Sequence, residues 1–416
     1  MTQPKINLKP RIQIVDAIRG FALFGILMLH SIEHFDLLSY PESSPGILAT
    51  LDPIISKILF FIFGGKAYSI FSIMFGFSFY IQMQNQAERG IDFRGKFVWR
   101  LVVLFVIGYL HSLMYIGDVL TVFALLGLPL VLLYKLESKW LIGISVLLMI
   151  QVPVLYHIAL SVIQPDYIFQ QDWAIWGEVK NTFANGSFPE VLRFNSASGH
   201  QAKWLFMYNT GRYLQMISLF IIGILTGRAR YFENIAQHKR LTLQLFLGSV
   251  VGFLLFFPVP YLAPLFNLSG TQNGLINVLA ASYSNFCFTI LLITAFILIY
   301  LKVQPPRKYS LLASYGKMSL TSYVMQPLFG VLFFYGYGLG MHQHFGVTFS
   351  FLYGIVFFIF QLFFCKMWLK HFYYGPLEWF WRALTFFDFK TGFRKSNGTN
   401  SQTSTIELKA QLSRNV

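Results

Sequence analysis

Long runs of apolar residues, each separated from the next by a short polar or basic loop, dominate the chain. A helix needs roughly 20 mostly apolar residues to cross a bilayer. The pattern therefore predicts an all-α, polytopic transmembrane helix bundle of about ten spans. The predicted spans cover residues 14–38, 66–84, 97–115, 117–136, 140–163, 209–228, 241–262, 278–301, 311–335 and 347–369. A shorter apolar stretch, 54–63, is expected to be interfacial or re-entrant.

Two regions depart from the repeating pattern. Residues 164–208 mix polar and aromatic side chains over a length that suits short surface helices on the outer side. Residues 397–416 are rich in Ser, Thr and Asn, which is typical of a disordered tail. The sequence thus predicts a transmembrane domain over residues 1–390, carrying an extracytoplasmic insert at 164–208, and a disordered cytoplasmic tail at 391–416.

The positions of the basic residues predict the orientation of the bundle. With the N-terminus inside, every inside loop carries Lys or Arg, as the positive-inside rule requires. An even number of spans preserves this alternation, so both termini are predicted to be cytoplasmic. The inside cations are Lys5, Lys9, Arg11, Arg89, Arg94, Lys96, Lys135, Lys139, Arg228, Arg230, Lys239, Arg240, Lys302, Arg307, Lys308 and those from Lys366 onward.

Composition supports the membrane assignment. Hydrophobic residues make up 55% of the chain and charged residues only 12%, against about 25% in a typical soluble domain. The net charge of +15 would suggest nucleic acid in a soluble protein. Here the cations cluster in loops, which indicates anionic lipid head groups as partners and no nucleic acid. Cys287 and Cys365 both lie in apolar runs, so neither a disulfide nor a thiolate metal site is expected.

The first span carries a stripe of ionisable residues. Asp16 and Arg19 are three residues apart, so they share a helix face and can pair. His30 follows Arg19 by eleven residues, which returns it to nearly the same face about 16 Å further out. Ionisable groups at membrane depth are costly and suggest function. A snorkelling Arg19 and an ordinary interhelical hydrogen bond from His30 fit the same pattern.

Further polar groups interrupt the later spans. His111 lies in the outer half of its helix, and Asp118 opens the next helix, where a carboxylate suits the helix dipole. Arg212 stands at an outside helix start, against the loop rule, so it is expected to pair with an acid or to bind an anion. Gln326 and Pro327 are expected to break their helix in its outer half.

After the last span, Glu378 and Arg382 are four residues apart and are expected to pair in an interfacial helix.

One motif points to a different chemistry. His30-Ser-Ile-Glu33-His34 matches the H-x-x-E-H pattern of an inverted zincin, in which both histidines and the glutamate share one helix face. Zinc-dependent hydrolysis also needs a third ligand, and the sequence offers no clear one in a neighbouring span. No metal is therefore expected. The chain contains no phosphate-binding P-loop and no G-x-S-x-G nucleophile elbow.

Taken in order, several of these motifs resemble the YeiB-like family of bacterial inner-membrane proteins, within the transmembrane acyltransferase superfamily. The resemblance runs from the first span to the tail. Its motifs are Asp16-x-x-Arg19-Gly20, His111…Gly117-Asp118-x-Leu-Thr121, Gly211-Arg212…Gly227-Arg228, Gly316-Lys317-Met-Ser-Leu-Thr-Ser-Tyr…Gln326 and Gly375-Pro-Leu-Glu378-Trp…Arg382.

The resemblance implies a multi-pass protein of the bacterial cytoplasmic membrane that transfers an acyl group from cytoplasmic acyl-CoA, in the simplest case acetyl-CoA. Glycan O-acetyltransferases of the superfamily carry a histidine at the position of His30, which is thought to be catalytic. YeiB relatives often have Asn there, so this chain departs toward the acyltransferase pattern.

On this reading each polar group has an expected role. His30 is the catalytic base or acyl carrier, and His111, oriented by Asp118, is a second candidate. Guanidinium groups suit the phosphates of CoA. The residues expected at the CoA site are Asp16, Arg19, Arg100 and Arg382. Those expected to bind a small-molecule or glycan acceptor are Lys66, Arg212 and Gln326. The alternative is a transporter of a small anionic or proton-coupled solute, and a homodimer is left open.

Overall fold

The computed structural model describes residues 11–42, 44–164, 166–169, 173–303, 309–389 and 393–395. Lys5, Lys9, Arg307, Lys308 and nearly all of the expected tail, 391–416, lie outside these ranges. The first helices are α1 (Gln13–Ile32), α2 (Leu48–Phe63), α3 (Ala67–Ala87), α4 (Arg94–Ser112), α5 (Leu120–Leu126), α6 (Leu128–Leu133), α7 (Ser138–Ile150), α8 (Val152–Ile163), α9 (Ile175–Asn185), α10 (Phe188–Phe194) and α11 (His200–Asn209).

The second half continues the all-helical pattern. It contains α12 (Arg212–Arg228), α13 (Lys239–Phe256), α14 (Val259–Leu262), α15 (Gly270–Lys302), α16 (Ser310–Lys317), α17 (Ser319–Phe334), α18 (Val347–His371) and α19 (Pro376–Phe386). Within the described ranges the one β-type contact is an isolated antiparallel bridge between Phe372 and Arg394. The all-α class is confirmed.

Several helices are long and apolar enough to cross a membrane. By length and composition the described residues contain 6 such spans, or up to 7 if the bent pair α7 and α8 is one span. Two shorter apolar helices, Leu120–Leu133 and Ser319–Phe334, add to these. The protein is therefore a polytopic helical membrane protein. The finer count of ten spans stays a prediction.

The helix that contains the stretch 54–63 is longer than the sequence indicated, and its interfacial or re-entrant position stays a prediction. The stretch belongs to α2, which runs on into α3, and the two together count as one candidate span of 40 residues, Leu48–Ala87. Gly65 adopts a left-handed conformation with φ of 76° at the break between them. The glycine pair at 64–65 interrupts the apolar run, and this made one long broken helix look like two elements.

The predicted break at Gln326 and Pro327 was also wrong. Helix α17 runs through Pro327 without interruption, and the break lies earlier, at Met318 between α16 and α17. The Glu378 side chain explains this position, because its carboxylate accepts hydrogen bonds from the amides of Leu320 (2.7 Å) and Thr321 (3.1 Å). A carboxylate that satisfies free amides stabilises a new helix start at that point.

This use of Glu378 replaces its expected ion pair with Arg382. The guanidinium of Arg382 lies instead over the rings of Tyr374 (5.5 Å) and Phe386 (5.1 Å). The expected helix forms after the last long helix, as α19, and its interfacial position stays a prediction.

Small residues let α3 and α12 pack backbone against backbone. A Cβ atom on Gly76 would overlap the carbonyl oxygen of Phe220, and one on Gly223 would overlap the backbone of α3 in the same way. The Tyr68 hydroxyl donates to the Gln215 side chain at 2.6 Å, one or two turns earlier on both helices. Residues further along α3 contact residues further along α12, so the two helices run parallel and start at the same level.

The described part of the insert forms the short helices that its composition suggested. Helices α9 to α11 fold over one end of the bundle, together with the loops at 33–38 and 335–346; we call this assembly the outer cap. Phe183 of α9 stacks on Tyr335 with ring centroids 4.7 Å apart, and the amide of Gly336 donates to the Phe183 carbonyl at 3.0 Å. The Tyr335 hydroxyl in turn donates to the Phe35 carbonyl at 3.1 Å.

Candidate functional site

A group of ionisable side chains lies under the outer cap, at the end of α1. Nδ1 of His30 lies 3.4 Å from a Glu33 carboxylate oxygen and 3.8 Å from one of Asp36. The Tyr115 hydroxyl is 2.9 Å from the same nitrogen. The side chains of His30, Glu33 and Asp36 remain 21%, 20% and 17% exposed, so the group is accessible from the surface. It joins one titratable nitrogen to two carboxylates.

A strained loop carries Asp36 to this position. Helix α1 ends at Ile32, and the next residues take left-handed conformations, with φ of 51° at His34, 53° at Phe35 and 70° at Asp36. The Phe35 amide closes the turn by donating to the His30 carbonyl at 2.6 Å. Left-handed backbone costs a non-glycine residue roughly 1–2 kcal/mol. Consecutive strained residues of this kind cluster at functional sites.

The inverted zincin arrangement does not form. His34 turns away from His30, because Nδ1 lies 2.7 Å from the Ser39 carbonyl and Nε2 lies 2.7 Å from the Ser350 hydroxyl. The two histidines therefore do not share a helix face. Asp36 takes the place that the motif assigned to His34, and ligand atoms of His30, Glu33 and Asp36 all lie within 4.8 Å of one another. Within the described ranges, these three residues are the set that could hold a metal ion.

A second histidine, His111, is held by a buried carboxylate. Its Nδ1 lies 2.9 Å from Asp118, whose other oxygen accepts from the amide and the hydroxyl of Thr121, both at 2.9 Å. Asp118 is 1% exposed. Nε2 of His111 is buried and has no hydrogen-bond partner among the described residues. The imidazole is thus oriented through one nitrogen while the other is free, which is the arrangement of a general base.

Lys203 of the insert completes this group and was not foreseen from the sequence. Its ammonium donates to the Thr121 hydroxyl at 2.8 Å and lies 4.0 Å from the Asp118 carboxylate. Burial lowers the pKa of Lys203, and the Asp118 charge opposes that shift. In the sequence Lys203 was one cation of an outside loop, and no spacing signal linked it to a residue so far away along the chain.

Two tyrosines join the histidine groups into one cluster. The Tyr115 ring centroid lies 5.5 Å from that of His30 and 5.9 Å from that of His111. On the other side of His111 stands Tyr323, with its ring centroid 5.5 Å away. A Cβ atom on Gly117 would overlap the side-chain ends of both Asp36 and Tyr115, so a larger residue there would displace them. We call this set the outer cluster; its members are His30, Glu33, Asp36, His111, Tyr115, Asp118, Lys203 and Tyr323.

The other end of α1 carries a compact network of charges. The predicted pair forms, with Arg19 Nη1 at 3.0 Å from Asp16. Arg11 also binds Asp16, through Nε at 2.5 Å and Nη2 at 3.0 Å. Arg19 donates further to the Ser78 hydroxyl on α3. One carboxylate therefore serves two guanidinium groups, which leaves an excess of positive charge at this end of the bundle.

Arg100 and Arg382 form a separate group between α4 and α19. The Arg100 guanidinium lies 3.6 Å from the centroid of the Trp381 ring, and the Trp381 indole donates to the Arg100 carbonyl at 2.9 Å. Neither arginine has an acidic partner in the described part of the chain. The four residues expected at a CoA site thus fall into two groups, Asp16 with Arg19 and Arg100 with Arg382, that share no hydrogen bond or ion pair there.

The residues expected at an acceptor site also separate. Lys66 lies over the Phe288 ring at 5.4 Å, and Arg212 lies over Phe206 at 4.5 Å. Arg212 also lies over the Tyr68 ring at 5.0 Å, two residues beyond Lys66, so these two cations lie near each other. Gln326 lies elsewhere, fully buried, and its amide donates to the Tyr315 hydroxyl at 2.7 Å.

A surface hollow of about 500 Å³ touches none of these groups. It is lined by aromatic and apolar residues near the end of α18, including Phe360, Phe364 and Trp368.

The comparisons with known proteins agree with the resemblance at the level of the whole chain. Residues 226–388 match a family model described as "Protein of unknown function (DUF418)". The chain is 26% identical to the "Uncharacterized protein YxaH" of Bacillus subtilis (strain 168), over 95% of this chain and 98% of that protein. It is 26% identical to the "Uncharacterized 39.9 kDa protein in amylase 3'region" of Bacillus acidopullulyticus, over 92% and 95%.

A third relative is the "Uncharacterized protein YeiB" of Escherichia coli (strain K12), which is 24% identical over 89% of this chain and 95% of its own length. No solved structure matches the chain. The chain is therefore similar, over most of its length, to bacterial proteins that include YeiB and YxaH.

Proposed function

We propose that this protein is a membrane acyltransferase, which moves an acyl group from cytoplasmic acyl-CoA to an extracytoplasmic or lipid-linked acceptor. The observation that carries the proposal is the outer cluster, where His111 is oriented by Asp118 and His30 lies beside two carboxylates, with Tyr115 between them. The proposal uses a ten-span topology in the bacterial inner membrane with both termini in the cytoplasm. Membrane lipids surround the bundle, and acetyl-CoA is the simplest acyl donor.

Acyl transfer needs a base and a group that stabilises the negative charge developing on the carbonyl oxygen. An acceptor hydroxyl or amine would give its proton to a histidine as its oxygen or nitrogen attacks the thioester carbonyl. The carbon–sulfur bond then breaks, and the histidine returns the proton to the CoA thiolate. The free Nε2 of His111 suits this proton transfer, and the resemblance favours His30. The Tyr115 hydroxyl is placed to donate to the oxyanion.

The inner end of the bundle suits the CoA moiety. Arg100 and Arg382 have aromatic neighbours and no acidic partner in the described ranges, so their charge is available to phosphates. The guanidinium of Arg19 is already paired with Asp16, which makes Arg19 the weaker candidate of the three arginines. Arg19 and His30 are separated by about 16 Å of helix. This distance fits an extended pantetheine arm between the two ends.

The test uses purified protein in lipid nanodiscs with radiolabelled acetyl-CoA. We expect acetyl-CoA to bind, and Arg100→Ala to weaken binding about tenfold or more, since a charge-assisted contact to phosphate is lost. Separate His30→Ala and His111→Ala variants identify the base, and the correct one lowers acyl transfer about 10²–10⁴-fold. His157→Ala is the matched control, because His157 forms a hydrogen bond with the Tyr167 hydroxyl and lies outside the outer cluster. Unchanged transfer in both test variants would rule the mechanism out.

A transporter remains the second candidate, and one observation favours it. Left-handed backbone interrupts α2/α3 at Gly65 and α7/α8 at Gln151, and broken helices line substrate sites in many transporters. The same nanodisc preparation separates the two functions. Solute counterflow in proteoliposomes without acetyl-CoA binding supports transport and removes the acyltransferase proposal.

A further inference from the structure

Two interrupted helices meet at the start of α12. The first break separates α2 from α3 and ends at Lys66, directly before α3. The second separates α7 from α8 at Gln151, which has a left-handed φ of 56°. A Cβ atom on Gly211, the residue before α12, would overlap the Gln151 side chain, so the second break touches the start of α12. Breaks of this kind expose helix ends that are otherwise hidden inside a span.

Parallel packing brings two cations together at this place. Because α3 and α12 start at the same level, Arg212 reaches the ring of Tyr68, two residues beyond Lys66, so the two cations lie near each other. Lys66 is only 8% exposed, and no carboxylate or hydrogen-bond acceptor partners its ammonium among the described residues. Arg212 lies between the rings of Tyr68 (5.0 Å) and Phe206 (4.5 Å). A nearly buried charge without an acidic partner is costly, so a bound anion would stabilise the pair.

The described surroundings supply neutral polar groups, and no described carboxylate pairs with either cation. The amide of Gln215 donates to the Ser282 carbonyl at 2.9 Å, and the Gln151 amide donates to the Ser282 hydroxyl. Oε1 of Gln151 is buried without a partner in the described part of the chain. The Asn285 amide presses against Gly65, next to Lys66. The first turns of α3 and α12 add free backbone amides and the positive ends of two helix dipoles.

We propose that Lys66 and Arg212 form an anion site between the starts of α3 and α12, which takes a phosphate or carboxylate group. Arg212 would bind two oxygens through its guanidinium fork, and Lys66 would act as a point charge. The anion is either free in solution or the head group of an anionic lipid, since both present the same oxygens. The identification of this anion with the acyl acceptor rests on the proposed function, whereas the anion site itself does not.

The experiment measures anion binding to the full-length protein in nanodiscs of neutral phosphatidylcholine. Inorganic phosphate is titrated by calorimetry in one arm. Phosphatidylglycerol is added to the nanodisc in the other, and bound lipid is counted by native mass spectrometry. We expect one arm to show saturable binding, and Lys66→Met or Arg212→Gln to weaken it about tenfold or more. Lys180→Met and Arg193→Gln are matched controls, because both residues are exposed on the insert.

The outcomes are distinguishable. Binding of phosphate alone identifies a free anion, and binding of phosphatidylglycerol alone identifies a lipid. Lack of binding in both arms, or binding that both variants retain at full strength, overturns the site. If a variant does not fold, Arg212→Lys keeps the charge and removes the fork, and Asn285→Ala probes the neutral wall. Acyl transfer measured on the same samples separates the two proposals. Anion binding without acyl transfer contradicts only the acyltransferase proposal, and acyl transfer without anion binding contradicts only the anion site.

Discussion

His30 and His111 differ in how the surrounding residues use their ring nitrogens. Nδ1 of His30 faces Tyr115 and two carboxylates at once, so its protonated form has ready partners. Nδ1 of His111 has a single partner, Asp118, at 2.9 Å, and its other nitrogen is free. A single buried carboxylate fixes the tautomer and direction of an imidazole. His111 is therefore better positioned to act as the base, and His30 has the better partners for a protonated imidazole.

A substitution at Asp118 tests this division. In Asp118→Asn the amide no longer accepts from His111 as a carboxylate does, so we expect kcat for acyl transfer to fall about 10²–10⁴-fold. KM for acetyl-CoA should change little, because Asp118 contacts His111 near the end of α4, whereas Arg100 lies near the start of that helix, about 16 Å away by helix rise. Steady-state kinetics in nanodiscs measures both constants.

Asp92→Asn is the matched control, since Asp92 is exposed and pairs with Arg94 at 2.6 Å outside the outer cluster. A raised KM for acetyl-CoA with an unchanged kcat would contradict a role for Asp118 in positioning the base.

At the scale of the element, the helices were predictable and their interruptions were not. The long apolar runs predicted long helices, and the mixed polar and aromatic insert predicted short ones. The length of an apolar run decides whether a helix can cross the membrane. The break at Met318 depends on a distant cap, Glu378, which no local pattern reveals. The breaks at Gly65 and Gln151 depend on left-handed backbone. Glycine can be suspected of this conformation from sequence, whereas Gln151 cannot.

The parallel pairing of α3 and α12 depends on small residues at their contact. In Gly223→Val the side chain would overlap the backbone of α3, so we expect the free energy of unfolding to fall by about 1–3 kcal/mol or more. Unfolding in detergent, followed by circular dichroism against denaturant, measures the change.

Gly248→Ala on α13 is the control, because a Cβ there meets nothing within 4 Å. That variant should be unchanged or more stable by roughly 0.5–1 kcal/mol, since alanine favours helix. Equal stability of Gly223→Val and the wild-type protein would mean that the helices are not in contact here.

At the scale of the whole molecule, the sequence identified pairs within one motif, such as Asp16 with Arg19 and His111 with Asp118, but not residues brought together from distant parts of the chain. Asp16 and Arg19 pair as their spacing predicted, because both are fixed on one helical turn. Lys203 reaches Asp118 only because α11 of the insert packs back onto the end of the bundle. Asp36 reaches His30 only through consecutive left-handed residues. Long-range placement of this kind depends on tertiary packing, which single-chain periodicity does not contain.

The two ends of α1 must face opposite sides of the membrane if acyl-CoA enters at one and the acceptor at the other. The positive-inside rule puts the loop at 88–93 in the cytoplasm and the insert outside. In intact cells, Lys180→Cys on α9 should therefore react with a membrane-impermeant maleimide, whereas Arg89→Cys should react only after permeabilisation. Both positions are exposed, so reactivity reports the side of the membrane and not burial. The native thiols are the background, and Cys365 is buried while Cys287 is half-buried. Labelling of Arg89→Cys in intact cells would show that the bundle has the opposite orientation, with the outer cluster in the cytoplasm. Acyl-CoA and the acceptor would then meet on one side, and no transfer across the membrane would be needed.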